Sequence, residues 1–261
     1  MAGKNHEKEL SIYQHLDELR RVLIVSVVAV AVFAIGGYYF TDRIMAVLLE
    51  PVTQEGYDIV FIGITEALMT KIKLSLAVGF IAALPVILWQ SWTFIAPALS
   101  KNERKYVRWF VVVAFGAFVG GVSFGFFVVY RMGVKFLLQF AGPELVPMLT
   151  IGNYISFTIS FLMPFGLVFE LPLAAFFLSK IGIITYPLLA KSRKFAVLGI
   201  LVLAAAITPT PDIFTMMVMA GPMYLLFEVS VWITRMVERG KERRARAEAL
   251  AEAAEAEPQH L

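Results

Sequence analysis

The chain has 261 residues, 59% of them hydrophobic and only 16% charged, with a mean hydropathy of +0.76, against roughly 45–50% apolar and about 25% charged for an ordinary soluble domain. This balance excludes a soluble globular protein, and it equally excludes disorder, collagen and coiled coil, which need polar, glycine-periodic or heptad-charged chains. Zero cysteines and three histidines rule out disulfides, zinc-thiolate sites and thiol catalysis and leave little for a metal. A formal net charge of +3 means that any electrostatic message lies in where the charges sit.

In chain order, residues 1–21 form a polar N-terminal segment whose Ile12, Leu16 and Leu19 continue to Leu23 at helical spacing, predicting an amphipathic helix at a membrane surface. Uncharged runs follow at 22–40, 74–100, 109–130, 145–169 (continuing past Glu170 to 179), 195–211 and 213–227. They predict an all-α membrane protein with six transmembrane helices over 22–234. The first four runs meet the about 20 residues that a hydrocarbon core of roughly 30 Å requires. The last two are short: 195–208 gives about 21 Å at 1.5 Å per residue before Thr208-Pro209-Thr210-Pro211 breaks the helix. Residues 235–261 read as a charged tail, disordered or partly helical.

Orientation follows from the cations, because short loops rich in Lys and Arg stay in the cytoplasm. The segments before the first run, between runs two and three, between four and five, and after six hold 18 of the 23 Lys and Arg. The other side holds Arg43, Lys71, Lys73, Arg131 and Lys135. Both termini are therefore expected in the cytoplasm, with the protein multi-pass in the cell membrane. On the opposite face, 38–66 and 131–150 read as ordered loops that cap the bundle, with Thr65-Glu66 as a helix cap for the second span.

A carboxylate inside a span costs a few kcal/mol and is a functional candidate. Glu170, in Phe169-Glu170-Leu171-Pro172, and Glu228 near the end of the last run are the two such acids. Pro172 lacks an N–H and predicts a kink beside Glu170. On the cytoplasmic side, Glu18 follows His15-Leu16-Asp17, and Glu103 is a single acid among the cations of Lys101-Asn102-Glu103-Arg104-Lys105. Taken alone, each reads as a solvated surface charge.

Several stretches together resemble TatC, the multispanning receptor subunit of the twin-arginine protein translocase. They are His15-Leu16-Asp17-Glu18-Leu19-Arg20-Arg21, the run from Pro85 through Phe94-Ile95-Ala96-Pro97-Ala98-Leu99, Lys101-Asn102-Glu103-Arg104, Tyr154-Ile155-Ser156-Phe157, Phe165 to Pro172, and Pro211-Asp212. The resemblance covers about residues 11–235. It implies that folded proteins with twin-arginine signal peptides dock on the cytoplasmic face and are exported with the proton-motive force, without ATP. It further implies that Glu18 and Glu103 bind the signal arginines, with Leu16, Arg20, Phe94 and Pro97 shaping the same patch. Glu170 becomes a polar spot on a concave, membrane-facing surface where the single-span partners TatA or TatB pack. Pro51 and Asp212 match far-side positions, with roles in loop geometry and hairpin turning. Self-association in a larger complex is also implied. The chain departs from the family pattern after the Pro-Asp turn, where Asp212-Ile213-Phe214-Thr215-Met216-Met217 lacks the usual glutamine.

This reading predicts a binding and transport protein, not an enzyme, acting in the bilayer without a cofactor, a metal or nucleic acid. A proton-coupled small-solute transporter using Glu170 is the alternative. A membrane enzyme is disfavoured because His6, His15 and His260 all lie outside the apolar runs.

Overall fold

The computed structural model describes residues 3–95, 107–140, 148–207 and 213–256. Among them the chain is helical apart from one two-stranded pair: α1 (Gly3–Tyr38), α2 (Thr41–Thr53), β1 (Ile59–Val60), α3 (Glu66–Ile95), α4 (Val107–Phe124), a π-helical turn (Gly125–Tyr130), α5 (Arg131–Phe140), β2 (Leu149–Thr150), α6 (Ile151–Phe169), α7 (Leu171–Lys180), α8 (Tyr186–Lys191), α9 (Arg193–Ile207) and α10 (Ile213–Ala256). Among the described residues five helical stretches are long and apolar enough to cross a membrane: Leu16–Tyr38, Glu66–Phe94, Trp109–Gln139, Ile151–Lys180 and Ile213–Ala251. Two compact units divide the chain, one up to Gly166 and one from Leu167.

In the first unit, α1 is one continuous helix of 36 residues, so the polar N-terminal segment from Gly3 and the first apolar run share a single helix. α1 packs on α3 through residues without bulk. A methyl group on Gly79 would lie 2.5 Å from the Ala34 amide nitrogen, and one on Gly37 would meet Val78 at 3.3 Å. Contacts of 34 with 79 and of 37 with 75 and 78 run in opposite chain directions, so the two helices are antiparallel.

α4 continues through the π-helical turn into α5. Within that turn Gly125 lies against the Phe165 ring, and Tyr130 is fully buried among Phe126, Tyr154, Phe157 and Phe161. The Tyr130 hydroxyl is hydrogen-bonded to Thr158, whose own hydroxyl reaches the Tyr154 carbonyl at 2.8 Å. Each buried phenol needs such a partner, because an unpaired polar group in an apolar interior is costly.

One end of this unit is capped. β1 and β2 pair in parallel, Ile59 with Leu149 and Val60 with Thr150. The Glu66 carboxylate closes the junction, accepting hydrogen bonds from the Ile62 amide (2.8 Å), the Gly63 amide (3.2 Å) and the Gly152 amide (2.8 Å). Arg131 meets Glu50 at 2.8 Å, Lys135 meets Glu55 at 3.2 Å and Lys71 meets Asp42 at 2.6 Å. The Tyr154 hydroxyl donates to the Leu48 carbonyl at 2.9 Å. Much of the first expected loop is thus the helix α2, and the first half of the second, Arg131–Phe140, is the helix α5, while 141–147 lie outside the described residues.

The second unit is built around α10, against which α7, α8 and α9 pack. Gly182, at φ +84°, ends α7 in the left-handed conformation that suits glycine at a helix terminus. Only one of the last two helices is short. α9 has 15 residues, but the apolar stretch ending at Phe227 is the first part of the 44-residue α10. The tail's Ala, Glu and Arg are strong helix formers, and its first turns are tied down: Glu238 accepts from the Tyr186 amide at 2.8 Å and Lys241 donates to the Ser179 carbonyl at 2.9 Å.

Candidate signal-recognition site

The sequence nominates a patch formed by Leu16, Glu18 and Arg20 on α1 with Phe94 at the end of α3. Leu16, Glu18 and Arg20 are exposed, and Phe94 is half-buried. Helix geometry relates the two elements. From the Ala34–Gly79 crossing, 16 residues back along α1 lead to Glu18 and 15 residues on along α3 lead to Phe94. At 1.5 Å per residue these are about 24 Å and about 23 Å. The two residues therefore stand at nearly the same level, at the end of the first unit away from the cap. Glu103 and Pro97 lie outside the described residues.

Glu170 sits where α6 gives way to α7, half-buried. Pro172 lies in the first turn of α7 and brings no amide hydrogen, and the break in the helix falls beside the acid as its position predicts. The Glu170 carbonyl accepts from the Ala174 amide at 2.8 Å, whereas the side-chain oxygen Oε1 is buried without a hydrogen-bond partner among the described residues. An unsatisfied carboxyl oxygen in an apolar setting is poised to accept a polar group from elsewhere.

Glu228 is already engaged. Arg193 holds it through two nearly parallel bonds, Nε to Oε1 at 2.8 Å and Nη2 to Oε2 at 3.0 Å, and the Tyr224 hydroxyl adds a third at 2.9 Å. This fork ties α9 to α10 and takes Glu228 out of the set of available acids. Pro51 differs from its expected place in a loop: it is buried inside α2, where it packs the cap. Asp212 lies outside the described residues.

Sequence reasoning missed the Arg131–Glu50 and Arg193–Glu228 pairs. Their partners are 81 and 35 residues apart, and nothing in local spacing links them. Among the described residues no three His, Cys, Asp or Glu side chains gather as a metal site.

Residues 14–222 match the family model described as Sec-independent protein translocase protein (TatC). Among curated relatives, the TatC protein of Carboxydothermus hydrogenoformans is 45% identical over 232 residues, covering 89% of this chain and 96% of the relative. That of Aquifex aeolicus is 37% identical over 239 residues, covering 89% and 98%. A crystal structure of the twin-arginine translocase receptor TatC is similar with a TM-score of 0.79 and 36% identity, covering 86% of this chain and 99% of the solved one. These relatives are translocase proteins and not solute carriers, which removes the support for the carrier alternative. The chain is a multi-pass membrane protein of Sec-independent protein transport, and it belongs to the TatC family.

Proposed function

We propose that this chain is the receptor subunit of its translocase, binding twin-arginine signal peptides at the cytoplasmic face of the inner membrane through Glu18 and Glu103. Two adjacent guanidiniums are permanently charged planar forks, and their natural receptor is a pair of carboxylates able to accept bidentate hydrogen bonds. Leu16, Arg20, Phe94 and Pro97 shape the surround of that pair. The observation supporting this reading is the common level of Glu18 and Phe94 at the end of the first unit away from the cap; Glu103 follows Phe94 nine positions later in the sequence.

The same reading includes six spans with α9 as the fifth, and both termini in the cytoplasm, as the 18 of 23 cations on one side support. Glu170 then serves as the polar contact for single-span partners of the TatA and TatB type on a concave surface. Energy comes from the proton-motive force, and the chain acts as a binding and transport component, self-associated in a larger complex.

Photocrosslinkers at positions 18 and 103 test the recognition site. Both should capture a twin-arginine peptide, and capture should fall when the peptide's Arg-Arg becomes Lys-Lys, since an ammonium cannot reproduce the planar fork. Capture at neither position, or equal capture of both peptides, defeats the reading.

A further inference from the structure

Residues 74–94 of α3 carry no charge, and these 21 residues span about 31 Å, close to a hydrocarbon core of roughly 30 Å. Lys73 is the first charged residue toward the cap, so its ammonium marks the capped-end boundary of this apolar stretch. Lys73 is exposed, and its Nζ donates to the Ser156 hydroxyl of α6 at 3.1 Å. Lys71, Arg131 and Lys135 at the same end each face a carboxylate. Lys73 has none among the described residues, and an ammonium with three donors has two left to give.

Below this contact lies an apolar cavity of about 120 Å³ between α3 and α6, with Ala77, Ile81, Ile159 and Met163 in those two walls and Ile44 and Leu48 of α2 and Val122 of α4 completing it. Lys73, Ala77 and Ile81 follow at i, i+4 and i+8, and Ser156, Ile159 and Met163 at i, i+3 and i+7. The Lys73–Ser156 contact therefore heads the same two helix faces that line the cavity. Thr158, the hydroxyl residue of the lining, spends its group on Tyr130 and the Tyr154 carbonyl, so the walls offer carbon alone. The space exceeds the about 10–15 Å³ of one water several times, yet a helix about 10–12 Å across does not fit. A void of this kind forfeits dispersion contacts unless an alkyl chain fills it.

We propose that this groove holds an acyl chain of an anionic phospholipid from the leaflet at the capped end, with the lipid phosphate on Lys73 and Ser156. A cation at the capped-end boundary of the apolar stretch supplies the charge complement, and the dry slot beneath supplies the chain site. The inference is independent of whether Glu18 and Glu103 bind signal peptides.

Native mass spectrometry of the detergent-solubilised full chain, titrated with phosphatidylglycerol or phosphatidylcholine, tests it. The unmodified chain should retain phosphatidylglycerol preferentially. Lys73→Gln should lower that retention about tenfold, the loss expected for one charge-assisted contact, and leave phosphatidylcholine nearly unchanged. Ile159→Phe, which fills the groove, should lower both, and Ala77→Val gives a milder filling should the larger ring disturb folding. Equal retention of the two lipids with no effect of Lys73→Gln marks an ordinary lipid belt and overturns the proposal. So does crosslinking from position 159 to a second copy or to a single-span partner in place of lipid.

Discussion

Gly79 of α3 lies so close to Ala34 of α1 that a methyl group added to it would come within 2.6 Å of the Ala34 Cα as well as 2.5 Å of its nitrogen. The obstacle is backbone, which cannot rotate away. Gly79→Ala should therefore push α1 off α3 and cost about 1–3 kcal/mol, as overpacking does, read as a lowered unfolding midpoint in detergent. Because the collision is with main-chain atoms, Ala34→Gly should not rescue it. Rescue by that second change would show that the contact is governed by side chains.

Glu66 gathers three amides from two distant segments, so its carboxylate does the work of a long-range helix cap. Glu66→Gln keeps the shape but leaves one carbonyl oxygen and an NH2 group where two acceptors stood, and strands an amide hydrogen. Hydrogen exchange at Ile62, Gly63 and Gly152 should accelerate, while exchange within α3 changes little. A methyl group on Gly152 would lie 2.8 Å from Glu66 Oε1, so Gly152→Ala should loosen the same strand pair. Unchanged exchange in both variants would mean that β1 and β2 hold each other without the carboxylate.

Much of this architecture is legible in the sequence because apolar run length is a local quantity. Helices α1, α3 and α6 each contain most of an uncharged run, and the helix break at Glu170 falls beside Pro172. What local pattern cannot carry is which polar group meets which across the fold. Glu66 is visible as a cap for α3, yet its bond to Gly152 depends on β2 arriving 86 residues later. Pro51 looks like a loop residue because proline removes a helix hydrogen bond, but burial within α2 overrides the propensity. The tail, read as disordered or partly helical, is helical to Ala256: without an apolar stripe it gives no packing signal that would decide between the two, although its composition favours helix. At the proposed recognition patch, Glu18 and Phe94 share a level because Gly79 allows α1 and α3 to cross where they do.

The Arg193–Glu228 fork makes a charge-swap prediction. Arg193→Glu or Glu228→Arg alone sets like charges together at the α9–α10 junction and should expose residues 180–192 to protease. The double reversal should restore protection, since the pairing is re-formed. Arg193→Lys should fall between, because a lysine meets the carboxylate as a point charge and not as a two-bond fork. Equal protection in all four proteins would leave the junction to apolar packing alone.

Glu170 separates a functional polar group from a merely tolerated one, because the two roles move stability and partner contact in opposite ways. Its Oε1 is buried without a partner among the described residues, and removing such an unsatisfied group in favour of carbon can recover about 1–3 kcal/mol of desolvation. Glu170→Leu should therefore raise the unfolding midpoint of the isolated chain. If the carboxyl is kept to receive a polar group from a single-span partner, the same change should abolish crosslinking of that partner from neighbouring positions and stop export. Glu170→Gln, which still accepts a hydrogen bond, should preserve much of both. A Glu170→Ala protein that crosslinks and exports normally would remove this residue from the partner site and leave it as a helix-kink acid with a stability cost and no compensating contact.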